Sequence, residues 1–146
     1  MTTRSPILTL LLVSSIFVSA LGQTERTLVK SFSAEGIAEA HINMDVPVEI
    51  ISSNGNLIRV KMFVSLEGGN DKMLKTLVVT RRYDLRSTKD GSKLIIDAPA
   101  LARKVEIGGK EVIENIRLEI NVPEHITLTQ DDVPSLAEEL NSEGTR

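Results

Sequence analysis

Glu39 and His41 stand two residues apart in "EAHIN", within a run whose apolar residues alternate, so both project from one side of an extended chain. A carboxylate beside an imidazole is the smallest unit from which acid–base or metal chemistry can be assembled. A metal site would need a third and a fourth ligand, and no cysteine or further histidine lies nearby in the sequence. The next residue on that side is Asn43, and the group reads best as the polar face of a strand. The second histidine, His125, follows "VPE" where the chain turns before its next apolar pair, which marks it as a solvated turn residue.

Other reactive constellations are not assembled. The chain has no G-x-S-x-G elbow, no S-x-x-K and no thiol. Gly109-Lys110 lacks both the earlier glycine and the following Ser or Thr of a phosphate loop. Asp131-Asp132 are adjacent acids on an acidic tail, without the buried setting that separates the pKa values of a catalytic pair. Arg81-Arg82 and Arg103-Lys104 are short basic steps without interleaved aromatics, and read as solvated edges. The expectation is therefore a non-enzyme, with no catalytic, cofactor-binding or metal residue and no cofactor.

The elements that position these side chains follow from periodicity. Apolar residues alternate at Ala38, Ala40, Ile42, Met44, Val46, Val48 and Ile50, with Pro47 as a break. The same register returns at Ile58 to Leu66, at Leu94, Ile96 and Ala98, and most regularly at Ile116, Leu118, Ile120 and Val122. Ile126 and Leu128 resume it after Pro123. Period two means extended chain with one face buried. Asn54-Gly55, Asp90-Gly91 and Gly108-Gly109 carry the chemistry of tight hairpin turns, which predicts antiparallel neighbours over much of the chain. Pro47 and Pro123 cannot donate to a ladder, so they mark edges, bends or corners. One segment departs from the pattern. "GGNDKMLKTLVVTRRY" offers Asn70 or Asp71 as an N-cap, then Met73, Leu74, Leu77 and Val78 at helical spacing. This predicts a short helix over Asp71 to Val79, with a β-branched strand at "TLVVT" as the alternative.

The ends and the composition bound the rest. Arg4, the apolar run from Ile7 to Val18 and the small residues at Ala20-Leu21-Gly22 read as an export signal over residues 1–22. The run is too short and too interrupted by Ser14 and Ser15 to span a bilayer comfortably. The formal net charge of −3 becomes one unit more negative without Arg4, which gives no drive toward nucleic acid or anionic membrane. With no cysteine, no tryptophan and 3% aromatics, the core must be built from Ile, Leu, Val and Met. "QDDVPSLAEELNSEGTR" is acidic and small-polar, and residues 130–146 read as a poorly ordered tail beyond a β-rich domain at 23–129.

The order of "FSAEGIAEAHINMDVPVEI", "NLIRVKMFV", "MLKTLVVTRRYDL", "GSKLIIDAPA" and "IRLEINVPEHITL" resembles secreted bacterial adhesin-like domains related to the auto-transporter adhesin head (GIN) domain family. The resemblance runs from Phe32 to about Thr129. It implies an exported β-helix or sandwich-like domain of Gram-negative envelopes, the Bacteroidetes lineage especially, and carries no catalytic residue over. Longer members continue past the "V-P" strand with further rungs that this chain does not supply, and "VPVEI" against "VPEHITL" is too slight an echo to be a repeat.

The reading is a mainly-β fold, an antiparallel β-sandwich or abbreviated β-helix with one short α-helix. Its expected role is non-catalytic: a protein secreted to the periplasm or cell envelope that binds an envelope protein or surface glycan, or self-associates through a strand edge near Pro123. The alternative is an accessory or weak hydrolase using the His41/Glu39 face.

Overall fold

The structure, a computed structural model, describes residues 24–131. The export signal assigned to residues 1–22 and the tail from residue 132 onward lie outside the described residues. Ten strands and one α-helix follow in chain order: β1 (Glu25–Ser33), β2 (Glu39–Asn43), β3 (Val48–Ser53), β4 (Leu57–Leu66), α1 (Asp71–Val79), β5 (Arg86–Asp90), β6 (Lys93–Asp97), β7 (Glu106–Ile107), β8 (Lys110–Glu111), β9 (Glu114–Pro123) and β10 (Thr127–Gln130). The fold is mainly β, as the alternation predicts, and among the described residues no sheet closes into a barrel. One four-stranded sheet has the order β1-β4-β9-β3 and the other β10-β2-β6-β5, with β7-β8 as a separate hairpin.

The period-two pattern explains what lies between the sheets. Ile58, Val60, Met62 and Val64 of β4 and Leu118, Ile120 and Val122 of β9 join Ala40 and Ile42 of β2 and Leu94 and Ile96 of β6 in one hydrophobic core. Aliphatic residues fill it almost alone, as a chain with 3% aromatics requires. Burial of this apolar surface, at about 25 cal/mol per Å², is what a fold without disulfides has to rely on.

The helix forms where the spacing places it. The Asn70 side chain accepts a hydrogen bond from the Met73 N–H (3.0 Å), satisfying one orphan donor of the first turn, and Leu74 and Leu77 are the buried face. Its C-terminus closes with Arg81 N–H donating to Val78 O and Arg82 N–H donating to Leu77 O, both at 3.0 Å. Arg81 takes the left-handed position that glycine usually holds there, with φ of 59°. Arg26 of β1 bonds the Asp71 carboxylate and fastens the helix to the sheet edge.

Two turn expectations hold and one changes. Gly91 and the Gly108-Gly109 pair adopt positive φ in the β5–β6 and β7–β8 hairpins. Asn54-Gly55 joins β3 to β4, but those strands are not partners: β9 lies between them, parallel to β3 and antiparallel to β4. Four of the seven strand pairings are antiparallel, as expected over much of the chain, and three are parallel (β10–β2, β2–β6 and β3–β9), so both four-stranded sheets are mixed. Local turn chemistry cannot reveal a strand inserted from far along the chain. The run from Ala38 to Ile50 also divides at Pro47, with β2 entering one sheet and β3 the other. Finally, β10 reaches Gln130, one residue past the expected domain boundary. Its side-chain amide donates to Met44 O (3.0 Å) and Val46 O (2.7 Å) and anchors the strand end.

Candidate functional site

Three places carry polar or exposed groups that burial of the core leaves unexplained. The first is the outer face of the β10-β2-β6-β5 sheet. Ala40 and Ile42 point into the core, so Glu39, His41 and Asn43 point out, and the parallel neighbours set Thr129 beside His41 and Lys93 beside Glu39. His41 Nδ1 lies 3.0 Å from Thr129 Oγ1, and His41 Nε2 lies 3.2 Å from Asp131 Oδ1. The Thr129 hydroxyl donates to Glu39 Oε1 at 3.3 Å, and the Lys93 ammonium reaches the same oxygen at 2.9 Å. The hydrogen bond from Lys93 chiefly holds the Glu39 carboxyl below its ordinary value, with Thr129 adding in the same direction against a desolvation effect that opposes both.

The Glu39–His41 pair of the sequence is thus joined by Thr129 and Asp131, residues the linear reading set apart. Asp131, read there as one of two tail acids, is an acceptor for the imidazole. The carboxylate–imidazole–hydroxyl order has the connectivity of a nucleophile triad, but its details work against one. The Thr129 hydroxyl lies within reach of both His41 Nδ1 (3.0 Å) and Glu39 Oε1 (3.3 Å), and the Glu39 carboxylate would repel negative charge developing on that oxygen. What the chain of contacts does structurally is stitch a four-residue edge strand, β10, onto β2. Among the described residues, no group of three His, Cys, Asp or Glu is arranged to hold a metal ion.

The second place is a cleft of about 710 Å³ at the start of β9, lined among others by Phe63, Arg82, Arg103, Lys104, Glu114 and Arg117. Its inner wall is a buried ionic cluster. Arg82 donates from Nη2 to Glu114 Oε2 (2.6 Å) and from Nε to Glu114 Oε1 (3.2 Å), and Tyr83 donates to Glu114 Oε1 (2.6 Å). Arg82 also donates to the Ala100 carbonyl, so the guanidinium is bound on several sides. Burial, then the neighbouring Glu114 carboxylate, drives the Tyr83 phenol far above its ordinary value. The expectation that Arg81-Arg82 form a solvated edge is corrected here: Arg82 is 9% exposed, because the left-handed Arg81 turns it inward. Nothing local in "TRRYDL" announces that Glu114 is waiting. Lys104 does remain solvated, paired with Glu111 at 3.0 Å. At the outer rim the Arg117 guanidinium stacks on Phe63, 3.6 Å from the ring centre.

The third place is the β3 edge. Ile50 registers with the fully buried Ile120 and shares its side of the sheet, yet is 58% exposed, because β3 overhangs the core. Pro123 is not itself on the edge expected near it, although β3 beside it and β10 after it are both edge strands. Pro123 is buried at the end of β9, an interior strand, and its lateral partner Ser53 belongs to the true edge. Leu118 N–H donates to Pro47 O (2.9 Å) and Glu124 N–H to Ser53 O (3.2 Å). Backbone groups of alternate residues face the same neighbour, so residues 47, 49, 51 and 53 face β9, and Val48, Ile50 and Ser52 direct their N–H and C=O outward. His125, as expected, sits exposed in the turn between β9 and β10.

No family model and no curated protein matches the chain. A crystal structure from Clostridium sporogenes ATCC 15579, described as a "putative cell adhesion protein", is similar at 17% identity and a TM-score of 0.42 over 73% of this chain. The chain spans about half of that protein's length, 48%.

Proposed function

We propose that the protein is an exported, non-catalytic, adhesin-like β-domain of the periplasm or cell envelope that recognises an extended segment of a partner protein by adding it as a strand to β3. Kinship with the adhesin-head domains belongs to this reading. The observation that supports it is the state of the β3 edge: three outward-facing backbone pairs flanked by a half-exposed isoleucine, with Glu49 as the strand's one charge. The other edges are short or guarded, and β10, which ends the second sheet, has only four residues. β5 is exposed throughout and carries Arg86, Lys89 and Asp90, while Lys30 of β1 bonds Leu85 O (2.6 Å) and holds chain beside that strand.

The test is binding of a labelled, alternating Thr–Val peptide to the purified chain. Binding that is lost in Ile50→Pro, which removes an outward N–H and leaves the β9 ladder intact, supports the reading. Absence of binding by the chain at dilutions where it is monomeric, or binding indifferent to that substitution, refutes it. A second reading, a weak hydrolase on the His41/Glu39 face, is favoured by the contact between Thr129 and His41. It requires ester hydrolysis that disappears in both Thr129→Val and His41→Ala.

A further inference from the structure

We infer that the strand received by β3 is β3 of a second copy, paired antiparallel about a twofold axis at Ile50. The inference rests on the edge reading above and goes further by naming the partner and the register. Antiparallel pairing needs residues with outward backbone groups opposite one another, which limits the registers to steps of two residues. With Ile50 opposite Ile50 of the second copy, Val48 faces Ser52 and Glu49 faces Ile51 on either side of the axis. About six inter-strand hydrogen bonds then form, since each of the three opposed pairs exchanges two.

Charge and burial select this register from its neighbours. A two-residue slip one way sets Glu49 against Glu49, and like charges directly opposite are destabilising. A slip the other way sets the exposed Ile50 against Ser52 and leaves much of its apolar surface in water. Pro47, just before the strand, is no obstacle: its backbone lies on the β9 side, where its carbonyl accepts from Leu118. The contact is isologous, so it closes at two copies and consumes both free edges.

The experiment is sedimentation velocity of the purified chain over a concentration series, combined with cysteine pairing, which is clean because the chain has no cysteine of its own. A concentration-dependent dimer is expected. Ile50→Pro should weaken it at least about tenfold, since the axis counts each lost hydrogen bond twice. Ile50→Lys and Ile50→Asp should each be monomeric and should dimerise when mixed, which shows that both remain folded. Mixing Glu49→Cys with Ile51→Cys should give a mixed disulfide, and each variant alone should cross-link about tenfold more slowly, because residues more than about 7 Å apart do not bridge without backbone movement. Self-cross-linking of Glu49→Cys or Ile51→Cys alone as fast as the mixture would overturn the register. A chain that stays monomeric yet binds the Thr–Val peptide overturns self-pairing and spares the edge reading. A monomer that binds no peptide overturns both.

Discussion

Arg82 and Glu114, 32 residues apart in the chain, meet at 2.6 Å with side chains only 9% and 10% exposed. The pair ties the segment after α1 to the start of β9, and Tyr83 bonds the same carboxylate. Such a pair is costly to desolvate, and breaking one side of it costs more than removing both.

Glu114→Gln should therefore destabilise the fold by about 3–5 kcal/mol, because it leaves the Arg82 charge buried without its counter-ion. The double replacement Arg82→Met with Glu114→Leu should recover part of that loss. Urea unfolding monitored by circular dichroism measures both, and a cost under about 1 kcal/mol for the single variant would place the cluster in solvent.

Tyr83 supplies a pH signature in the alkaline range. Its folded value is raised, so its contribution to stability is fully present below the ordinary value of 10.0 and is lost as pH climbs above it. It is the chain's single tyrosine, so phenolate absorbance reports this group alone. The phenol should ionise together with unfolding, and Tyr83→Phe should flatten the alkaline decline at a cost of about 1–2 kcal/mol near neutrality.

Arg81 offers a stabilising change. A non-glycine residue at φ of 59° bears a steric cost that glycine does not. Arg81→Gly should raise stability by about 0.5–1 kcal/mol, seen as a higher denaturant midpoint with an unchanged slope.

On the opposite face, the lowered value of Glu39 gives an acid signature. Its contribution is present above the ordinary 4.5 and is lost as pH falls through the lowered value. Hydrogen-exchange protection of the Thr127 amide, which bonds Ala38 O, taken relative to its intrinsic rate at each pH, should drop over that fall. In Glu39→Gln the protection should be lower at neutrality and nearly flat with acid. His41→Ala should loosen the same strand through lost contacts with Thr129 and Asp131.

Much of this molecule was legible in its side-chain order, and the reasons are local. Asn70 as a cap and Met73, Leu74 and Leu77 at helical spacing locate α1 at its observed bounds, because a helix is closed by partners three and four residues away. The same holds for Gly91 and Gly108-Gly109, whose hairpins need only one or two residues of positive φ. The surface positions of His41 and His125 follow from alternation and from a turn. What escaped the reading depends on distant partners. Asn54-Gly55 resembles a hairpin turn until β9 enters between the strands it joins, and Arg82 looks solvated until Glu114 arrives.

Alternation by itself determined that this chain is mainly β with an aliphatic interior, since side-chain direction along an extended strand is fixed residue by residue. A cap with helical spacing determined its one short helix. Only the tertiary structure decided which strands are edges, which pairings run parallel, and that Thr129 and Asp131 would meet His41. Those outcomes depend on strand neighbours brought together across the sequence, where backbone hydrogen bonds are alike for every residue and the choice among them falls to packing of the whole core.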